Sequence, residues 1–473
     1  MKQNKKLSVL LSFLLILVYL TTFSAISTEA RRHHSKKSRT HKHKKQRHDH
    51  HVPAPFPGHG NTSSNFNVLS FGAKGDGVSD DSKALEEAWK AACKVEGSIL
   101  RIPSNYKFLI KPITLKGPCM PHLLFQIDGS LLAPPKVGAW PKSSLFQWIN
   151  FKWIHNFTIQ GTGTVDGQGS NWWATAFPSQ VAFTQALSKN KIPYMKPTAI
   201  RFYESYNVTI RDINIINSPL CHLKFDNSGG VNIDNITIIS PESSPNTDGI
   251  HLQNTRDVEI QHSSIGCGDD CVSIQTGCSN VHIHHLNCGP GHGISLGGLG
   301  KDKSVACVSD ITVENIIMQN TLYGVRIKTW QGGAGLVKNI TFSHIQVSDV
   351  KIPIMIDQYY CDKHLCKNQT DAVAISGVKY DQIIGTFSVQ PIHLACSNSI
   401  PCINVDLTNV QLRPTSSKLG YGSGGLQHEG LCWNSYGKSK APLVPSSIDD
   451  CLMRGSGGSG PQKIAKSRYE NVC

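Results

Sequence analysis

Two adjacent aspartates, Asp269 and Asp270, lie between cysteines in the stretch IGCGDDCVSI at residues 265–274. The residues around them alternate as in a buried strand. Like charges repel, and a carboxylate beside apolar positions loses hydration, so ionisation of at least one aspartate is disfavoured. Such a pair holds one proton next to a charged carboxylate, which is the arrangement that acid–base catalysis requires.

Equal spacing brings two further side chains to this pair. The segments Asp248-Gly-Ile-His-Leu, Asp270-Cys-Val-Ser-Ile and His292-Gly-Ile-Ser-Leu begin 22 residues apart. If each step is one coil of a repeating structure, the three side chains stack at the ~4.8 Å spacing of neighbouring strands. Asp269 can turn toward the same surface, so the sequence predicts a cluster of three carboxyl groups and one imidazole.

Two basic residues follow one coil later. The stretch GVRIKTW places Arg326 and Lys328 two positions apart, which puts both side chains on one face of a strand. These cations compete with calcium for the carboxylates, and the single His292 offers no recognisable zinc spacing. We therefore expect no metal and no cofactor.

Acid–base chemistry suits this group better than a purely structural role, because unpaired stacked acids destabilise a fold. Cleavage of a glycosidic bond requires one protonated carboxyl group for the leaving oxygen and one carboxylate for water or for the sugar. Arg and Lys pair well with the carboxylate of a sugar acid. The combination predicts hydrolysis of an acidic polysaccharide.

A repeated phrase indicates the elements that position these residues. It reads NFTI, NVTI, GVNI, DVEI, NVHI, DITV and NITF from residues 156, 207, 230, 257, 280, 310 and 339, with final spacings of 23, 27, 23, 30 and 29. Helices of about 10–15 residues do not fit between these strands. We predict an all-β fold, a right-handed parallel β-helix that forms a single-domain solenoid. A β-sandwich does not explain the periodicity.

A short capping helix is predicted near the start of this body. Residues 67–93, NVLSFGAKGDGVSDDSKALEEAWKAAC, indicate a short strand, a Gly-rich turn and a helix from about Asp81 to Cys93. Asp80 is the predicted N-cap. The apolar stripe of this helix consists of Ala84, Leu85, Ala88, Trp89 and Ala92.

The net charge of +14 belongs mainly to the N-terminal part of the 473-residue chain, because the first 60 residues hold 12 Lys and Arg against 2 Asp and Glu. Residues 1–30 are predicted to be a signal peptide, since lysines precede a run too short for a typical membrane span. An uncleaved signal anchor is the alternative. We expect residues 31–64 to be a disordered basic segment and linker, and residues 65–473 to be the catalytic β-helix.

The role of the basic segment stays open between a solvated or removable tail and electrostatic adhesion to an acidic polymer. Its histidines lack the fixed spacing of a metal site. We expect a secreted monomer of the extracellular space or cell wall.

Cysteine usage agrees with an oxidising compartment, because the chain has 15 cysteines and six N-x-[ST] sequons. The odd count leaves at least one thiol unpaired within the chain. Cys267 is expected to be a small buried residue. The predicted local pairs are Cys361/Cys366, Cys396/Cys402 and Cys432/Cys451.

Four motifs resemble those of one enzyme family. NTD at 246–248, GDD at 268–270, GHG at 291–293 and RIK at 326–328 match, in order, the motifs of the polygalacturonases of glycoside hydrolase family 28. The contexts SPNTDGIHL, IGCGDDCVSI, CGPGHGISLGGLG and GVRIKTWQGG are similar to the plant members. The resemblance runs from about residue 65 to the C-terminus.

This resemblance implies a role for each matching residue. Asp269 corresponds to the general acid, and Asp248 and Asp270 to the carboxylates that hold and deprotonate water. His292 tunes the protonation of the acid, and Cys271 and Cys288 form a disulfide that supports the catalytic strand. The implied substrate-binding residues are Asn246, Arg326, Lys328 and Tyr360, although Tyr359 is adjacent to Tyr360.

The resemblance also implies inversion at the anomeric carbon, whereas a spacing of one coil, ~5 Å, is closer to the usual retaining geometry. The predicted function is hydrolysis of the α-1,4-galacturonosidic bonds of pectin, with cell-wall modification or degradation as its consequence. We expect pectic polysaccharide as the partner and no nucleic acid. From the sequence, Arg326→Ala is expected to weaken substrate binding more than folding.

Other functions remain open at this point. An exo-acting relative or one that cuts rhamnogalacturonan or xylogalacturonan shares the motifs, although the intact RIK favours uninterrupted galacturonate. A pectate lyase would use calcium and a basic residue, and a non-catalytic pectin-binding wall protein would not need the aspartate pair.

Overall fold

The strands of this protein pair in parallel, each with the equivalent strand of the preceding and the following coil. The computed structural model describes residues 64–141, 147–173, 196–361, 369–415, 429–454 and Cys473. The predictions for residues 1–63, namely the signal peptide and most of the basic segment, lie outside these described residues.

Thirty-one strands occur in the described part of the chain and are numbered in chain order. Strands β1 to β16 are Asn65–Asn67, Asp76–Asp80, Ile99–Ile102, Lys107–Leu109, Ile113–Lys116, Leu123–Ile127, Ser130–Leu132, Gln147–Lys152, His155–Gln160, Thr164–Asp166, Thr198–Tyr203, Tyr206–Arg211, Asn214–Ile216, Leu223–Asp226, Gly229–Asp234 and Thr237–Ile239. Strands β17 to β31 are Ile250–Gln253, Arg256–Gln261, Ser264–Gly266, Val272–Ile274, Cys278–Cys288, Ile294–Leu299, Val305–Gln319, Tyr323–Trp330, Ala334–Val350, Ile352–Tyr360, Ala374–Phe387, Ile392–Ala395, Cys402–Pro414, Leu431–Trp433 and Ser435–Val444.

Within the described residues, these strands form two parallel sheets. The smaller sheet contains 11 strands, β5, β8, β11, β14, β17, β20, β22, β24, β26, β28 and β30, and the larger sheet contains the other 20. Each coil contributes strands to both sheets before the chain enters the next coil, so the chain winds as a right-handed parallel β-helix. This confirms the predicted fold.

The core fills the inside of the coils because alternate side chains of each strand point inward. Phe151, Phe202 and Phe225 stack on consecutive coils with ring centroids 4.8 and 4.9 Å apart. Ile210 and Ile233 are register partners in the larger sheet and are both buried. Stacking like side chains fills the interior without changing the width of the coil.

Backbone bends within the strands explain the asparagines of the repeated phrase. Asn207, Asn280 and Asn339 adopt positive φ values of 56°, 52° and 56°, a conformation that asparagine tolerates better than most residues. The Asn280 amide donates to Asp257 Oδ1 at 2.7 Å, and the Asn339 amide donates to Asp310 Oδ1 at 2.6 Å. The phrase therefore marks hydrogen-bonded polar side chains at equivalent bends of consecutive coils as well as the strands.

The predicted capping helix is present as α1, Ser82–Ala92, and its predicted apolar stripe is buried. The predicted N-cap is wrong by one residue, since Asp81 occupies that position. The Asp81 carboxylate accepts hydrogen bonds from the backbone of Lys74 and Gly75 and so closes the Gly-rich turn, while Asp80 accepts from the Ser82 amide at 3.1 Å.

The other helical segments are short. Helix α2 spans Ser170–Trp173, and single 3₁₀ turns span Val68–Phe71, Val137–Ala139, Lys301–Lys303 and Ser446–Cys451. Across the described residues, no helix combines the length and apolar character that crossing a bilayer requires.

Three predicted disulfides are confirmed, Cys271–Cys288, Cys396–Cys402 and Cys432–Cys451. Cys361 is also disulfide-bonded, and its predicted partner Cys366 lies outside the described residues. The structure adds Cys93–Cys119 and Cys307–Cys473, which were not predicted. Among the described cysteines, Cys221, Cys267 and Cys278 are free and buried, as expected for Cys267.

Candidate active site

The predicted stack is built at the leading ends of three neighbouring strands of the smaller sheet. Ile250 pairs with Val272, and Val272 pairs with Ile294. Asp248, Asp270 and His292 each precede one of these partners by two residues, so they occupy equivalent positions on consecutive coils. We call Asp248, Asp269, Asp270 and His292 the aspartate–histidine cluster.

A glycine and a threonine fix the two aspartate-bearing loops together. A Cβ at Gly268 would lie 1.8 Å from the Ser244 carbonyl oxygen, so only glycine fits this close approach. The Gly268 amide donates to Thr247 Oγ1 at 2.9 Å, and Thr247 Oγ1 donates to the Ser244 carbonyl at 3.0 Å. The positions of Asp248 and Asp269 are therefore linked through the backbone.

Asp269 lies between a histidine and an asparagine. Its Oδ1 is 2.9 Å from His292 Nδ1, and its Oδ2 accepts from the Asn246 amide at 3.2 Å. Burial by itself raises the pKa of Asp269. The hydrogen bond and positive charge of His292, together with the charges of Lys328 and Arg326, more than offset this effect, so the pKa lies below its ordinary value.

Asp270 is the deeply buried member of the cluster, with 2% of its side chain exposed. Its Oδ1 accepts from Ser295 Oγ and from Arg326 Nη2, each at 2.7 Å, and its Oδ2 accepts from Lys328 Nζ at 3.1 Å. Arg326 Nε also donates to Ser295 Oγ at 2.9 Å. The two predicted substrate-binding cations therefore pair with the carboxylate of Asp270.

Asp248 has a different electrostatic environment. Burial raises its pKa, and the negative charges of Asp269 and Asp270 raise it further. His251, with Nδ1 3.4 Å from Asp248 Oδ2, opposes this shift. Neighbouring carboxyl groups in one cluster thus have pKa values displaced in opposite directions, and the raised value belongs to Asp248 instead of the predicted acid Asp269.

An aromatic group borders the two cations. The Arg326 guanidinium carbon lies 4.1 Å from the centroid of the Tyr323 ring, and Lys328 Nζ lies 5.5 Å from that of Tyr360. The Tyr360 ring contacts Trp330 edge-on at 5.1 Å. The hydroxyl group of Tyr359 instead accepts a hydrogen bond from the backbone N–H of Asn398, which favours Tyr360 as the tyrosine that belongs to the site.

Sequence reasoning missed Ser295, His251 and Tyr323 as members of the site. A signal for them exists, because DGIHL, HGISL and YGVRI share one pattern in which a polar residue comes three positions after the first. Extending the alignment to all positions would have placed Ser295 beside Arg326, which is its register partner. It would also have placed Tyr323 after His292 in the stack.

Asp269, Asp270 and His292 each offer one potential metal-ligand atom, and these three atoms lie within 4.8 Å of one another, a separation compatible with a bound cation. The donor chemistry does not favour one, because both oxygens of Asp270 already face Arg326 or Lys328. The expectation of no metal and no cofactor stays a prediction.

Comparison with known proteins places this site in a family. The sequence profile described as Glycosyl hydrolases family 28 matches residues 93–421. The chain belongs to this family. The family 28 chain is 40% identical over 384 residues to a probable polygalacturonase of Arabidopsis thaliana, a match that covers 80% of this chain and 83% of the relative. It is 38% identical over 382 residues to polygalacturonase-2 of Solanum lycopersicum, with 80% of each chain covered.

Solved structures agree on the architecture of this family 28 hydrolase. A polygalacturonase from Erwinia carotovora superposes with a TM-score of 0.62 at 25% identity, covering 82% of this chain and 100% of the other. An exopolygalacturonase from Thermotoga maritima gives a TM-score of 0.61 at 20% identity, covering 74% and 88%, which supports the fold alone. The predicted family, fold and glycoside hydrolase class are thus confirmed.

Proposed function

We propose that this enzyme is a secreted polygalacturonase that hydrolyses α-1,4-galacturonosidic bonds of pectin in the cell wall. The observation that carries the proposal is the convergence of Asp248, Asp269 and Asp270 with Arg326 and Lys328 at one place on the β-helix. The plant relatives are named polygalacturonases, and such an enzyme must hold an anionic sugar chain next to paired carboxyl groups.

In the proposed mechanism, Asp269 protonates the leaving oxygen. Its contact with His292 at 2.9 Å holds one proton between the two side chains. An arriving galacturonate chain excludes water and brings negative charge, and both effects raise the pKa of Asp269. The proton then moves from His292 Nδ1 to the Asp269 carboxylate, from which it reaches the leaving oxygen.

The other two aspartates act on water. A general base is most effective when its pKa approaches the working pH, and the raised pKa of Asp248 suits it to remove the proton. Asp270 is charge-balanced by Arg326 and Lys328, so it orients the water instead. Attack from the face opposite the leaving oxygen gives inversion, as the family resemblance implies.

Substrate recognition is assigned to the residues around this centre. Arg326 and Lys328 attract the galacturonate carboxylates, while Asn246 positions the sugar through the same amide that contacts Asp269. Tyr360 offers an aromatic edge beside Lys328. Because both cations are largely buried, they attract the substrate mainly through their positive electrostatic potential, and their side chains have little freedom to move toward it.

The reaction class is tested by incubating the purified full chain with de-esterified polygalacturonate in two parallel reactions, one with calcium and one with EDTA. New reducing ends without the ultraviolet absorbance of an unsaturated product would support hydrolysis. Absorbance that disappears with EDTA would indicate a lyase and overturn the proposal. If neither signal rises, a non-catalytic pectin-binding protein becomes the better description.

The role of Asp269 is tested by Asp269→Asn. Loss of the proton donor is expected to lower kcat by about 10²–10⁴-fold, with much of the loss recovered on an oligogalacturonide that carries a nitrophenyl leaving group. Asp257→Asn, at an exposed position of β18 in the larger sheet, is the matched control. Equal recovery for Asp248→Asn and none for Asp269→Asn would reverse the assignment of acid and base.

A further inference from the structure

A second cluster of titratable side chains lies on the outer face of the larger sheet. His282 and His284 alternate with buried residues of β21, so both project to the same outward face. Glu259 of β18 is the register partner of His282, and Glu314 of β23 is the register partner of His284. With the adjacent His285, these residues form what we call the outer histidine cluster.

Three donor atoms of this cluster converge. Glu259 Oε1 lies 3.0 Å from His284 Nε2 and 3.6 Å from His282 Nδ1. One potential metal-ligand atom from each of these three residues lies within 4.8 Å of the other two. Ligands bound at 2.0–2.2 Å to a tetrahedral zinc ion are about 3.4 Å apart. The two observed separations lie on either side of that value, so small side-chain rotations complete the geometry.

The remaining ring nitrogens already have partners that would orient the ligands. His282 Nε2 lies 2.9 Å from Glu314 Oε1, and His284 Nδ1 lies 2.8 Å from His285 Nδ1. When these outer nitrogens carry the protons, the lone pairs of His282 Nδ1 and His284 Nε2 face Glu259. Zinc-binding histidines typically make such outer contacts, with a carboxylate as a frequent partner.

We propose that the outer histidine cluster binds one Zn²⁺ ion through Glu259, His282 and His284, with water as the fourth ligand. His282 and Glu259 have 40% and 46% of their side chains exposed, so the ion can enter from solvent. The ion would join β18 to β21 across two consecutive coils. The bound ion would stabilise the fold and not take part in catalysis, because the aspartate–histidine cluster lies on the smaller sheet. The zinc proposal does not depend on the proposed function.

The test is calorimetric titration of the full chain with zinc chloride, together with thermal unfolding with and without zinc. His282→Gln/His284→Gln removes two ligands, and His344→Gln, an exposed histidine of β25, is the matched control. Residues 31–51 contain seven histidines that can also bind zinc, but all variants share them. We expect the wild type and His344→Gln to bind one more equivalent than the double variant, and only those two to gain thermal stability from zinc.

Equal stoichiometry and equal zinc-dependent shifts in Tm across the three proteins would overturn the proposal. If the double variant does not fold, Glu314→Gln provides the test, since it keeps every ligand and removes only the orienting carboxylate. Losing such a partner is expected to weaken zinc binding about 10–100-fold. An unchanged affinity of Glu314→Gln for zinc would contradict coordination of the ion by His282 Nδ1.

Discussion

Replacing Arg326 with methionine should destabilise the fold more than replacing Lys328 with methionine. Asp270 has 2% of its side chain exposed and receives Arg326 Nη2 at 2.7 Å. The replacement also removes the Nε donor to Ser295. Removing one partner of a buried ion pair costs about 3–5 kcal/mol when the other charge is left without compensation. Lys328 still contacts Asp270 at 3.1 Å after the change, so the expected loss is at the lower end of this range.

Lys328→Met should cost less. Lys328 makes one contact of 3.1 Å with Asp270, and Arg326 continues to balance the carboxylate after the change. A hydrogen bond to a charged group contributes about 1.5–3 kcal/mol. Methionine keeps most of the apolar length of the lysine side chain, so the difference reports mainly on the ammonium group.

A second aspartate on the same sheet supplies the control. Asp226 contacts both Arg201 and Lys224, but the Lys224 contact is 3.4 Å and 25% of the Lys224 side chain is exposed, against 10% for Lys328. A solvated pair of this kind contributes about 1 kcal/mol or less. Lys224 is the register partner of His251, so Lys224→Met is a control for stability alone and measures the cost of removing a lysine from a similar, more exposed trio.

The assay is equilibrium urea unfolding of the three variants, with KM measured on polygalacturonate. The expected order of destabilisation is Arg326→Met, then Lys328→Met, then Lys224→Met. The structure thereby changes the sequence-based expectation that removing Arg326 weakens binding more than folding. An Arg326→Met protein within about 1 kcal/mol of wild type, with only KM raised, would refute the reasoning from buried charge.

Two further predictions concern the aspartate-bearing loops. The folded state raises the pKa of Asp248 above its ordinary 3.8, so wild-type stability from this group is complete below that pH and falls as pH rises through the folded value. Thermal melts between about pH 3 and pH 6 test this expectation. As the pH rises, Asp248→Asn should gain stability relative to wild type, whereas Asp269→Asn should lose stability because the pKa of Asp269 is lowered. A change in the same direction for both variants would contradict one of the two pKa assignments. Gly268→Ala should lower both activity and Tm, since its Cβ would meet the Ser244 carbonyl oxygen at 1.8 Å, whereas Gly138→Ala meets no atom within 4 Å and serves as control. Normal activity in Gly268→Ala would show that the loop shifts without consequence.

The sequence predicted the stack well because the β-helix converts spacing directly into position. Two steps of 22 residues placed Asp248, Asp270 and His292 on consecutive coils, and the strand register agrees. In a fold without this regularity, equal spacing would not imply contact. The left-handed conformation of the asparagines in the repeated phrase was not predicted, because the alternation of apolar and polar residues does not specify φ.

The pairing of the cations could not be predicted in the same way. The i, i+2 pattern placed Arg326 and Lys328 on one face of β24 but did not indicate which group they contact. Arg326 is long enough to reach from β24 past the register partner Ser295 to Asp270, which belongs to the coil before that of Ser295. Contacts that span two coils depend on side-chain length and rotamer, which the periodicity of the backbone does not specify.

Disulfides between cysteines close in sequence could be predicted, whereas those between distant cysteines could not. Cys396–Cys402 closes a loop of sequence separation 6, and proximity in the chain was enough to predict it. Cys307–Cys473 has a sequence separation of 166, so no local pattern relates its two cysteines. The N-cap error has another origin, because Asp81 is held by the Gly-rich turn that precedes α1, and composition alone does not distinguish it from Asp80.

The order of the coils accounts for the opposite pKa shifts within the cluster. Along the axis the groups follow the order Asp248, Asp270, His292 and Arg326, so negative charge is concentrated at one end and positive charge at the other. Asp248 stands farthest from the cations, and burial with repulsion from the other aspartates determines its raised pKa. Asp269 turns toward His292, and that contact together with the cations determines its lowered pKa. The opposite pKa shifts of Asp248 and Asp269 thus follow from the charged groups that the neighbouring coils place beside each carboxylate.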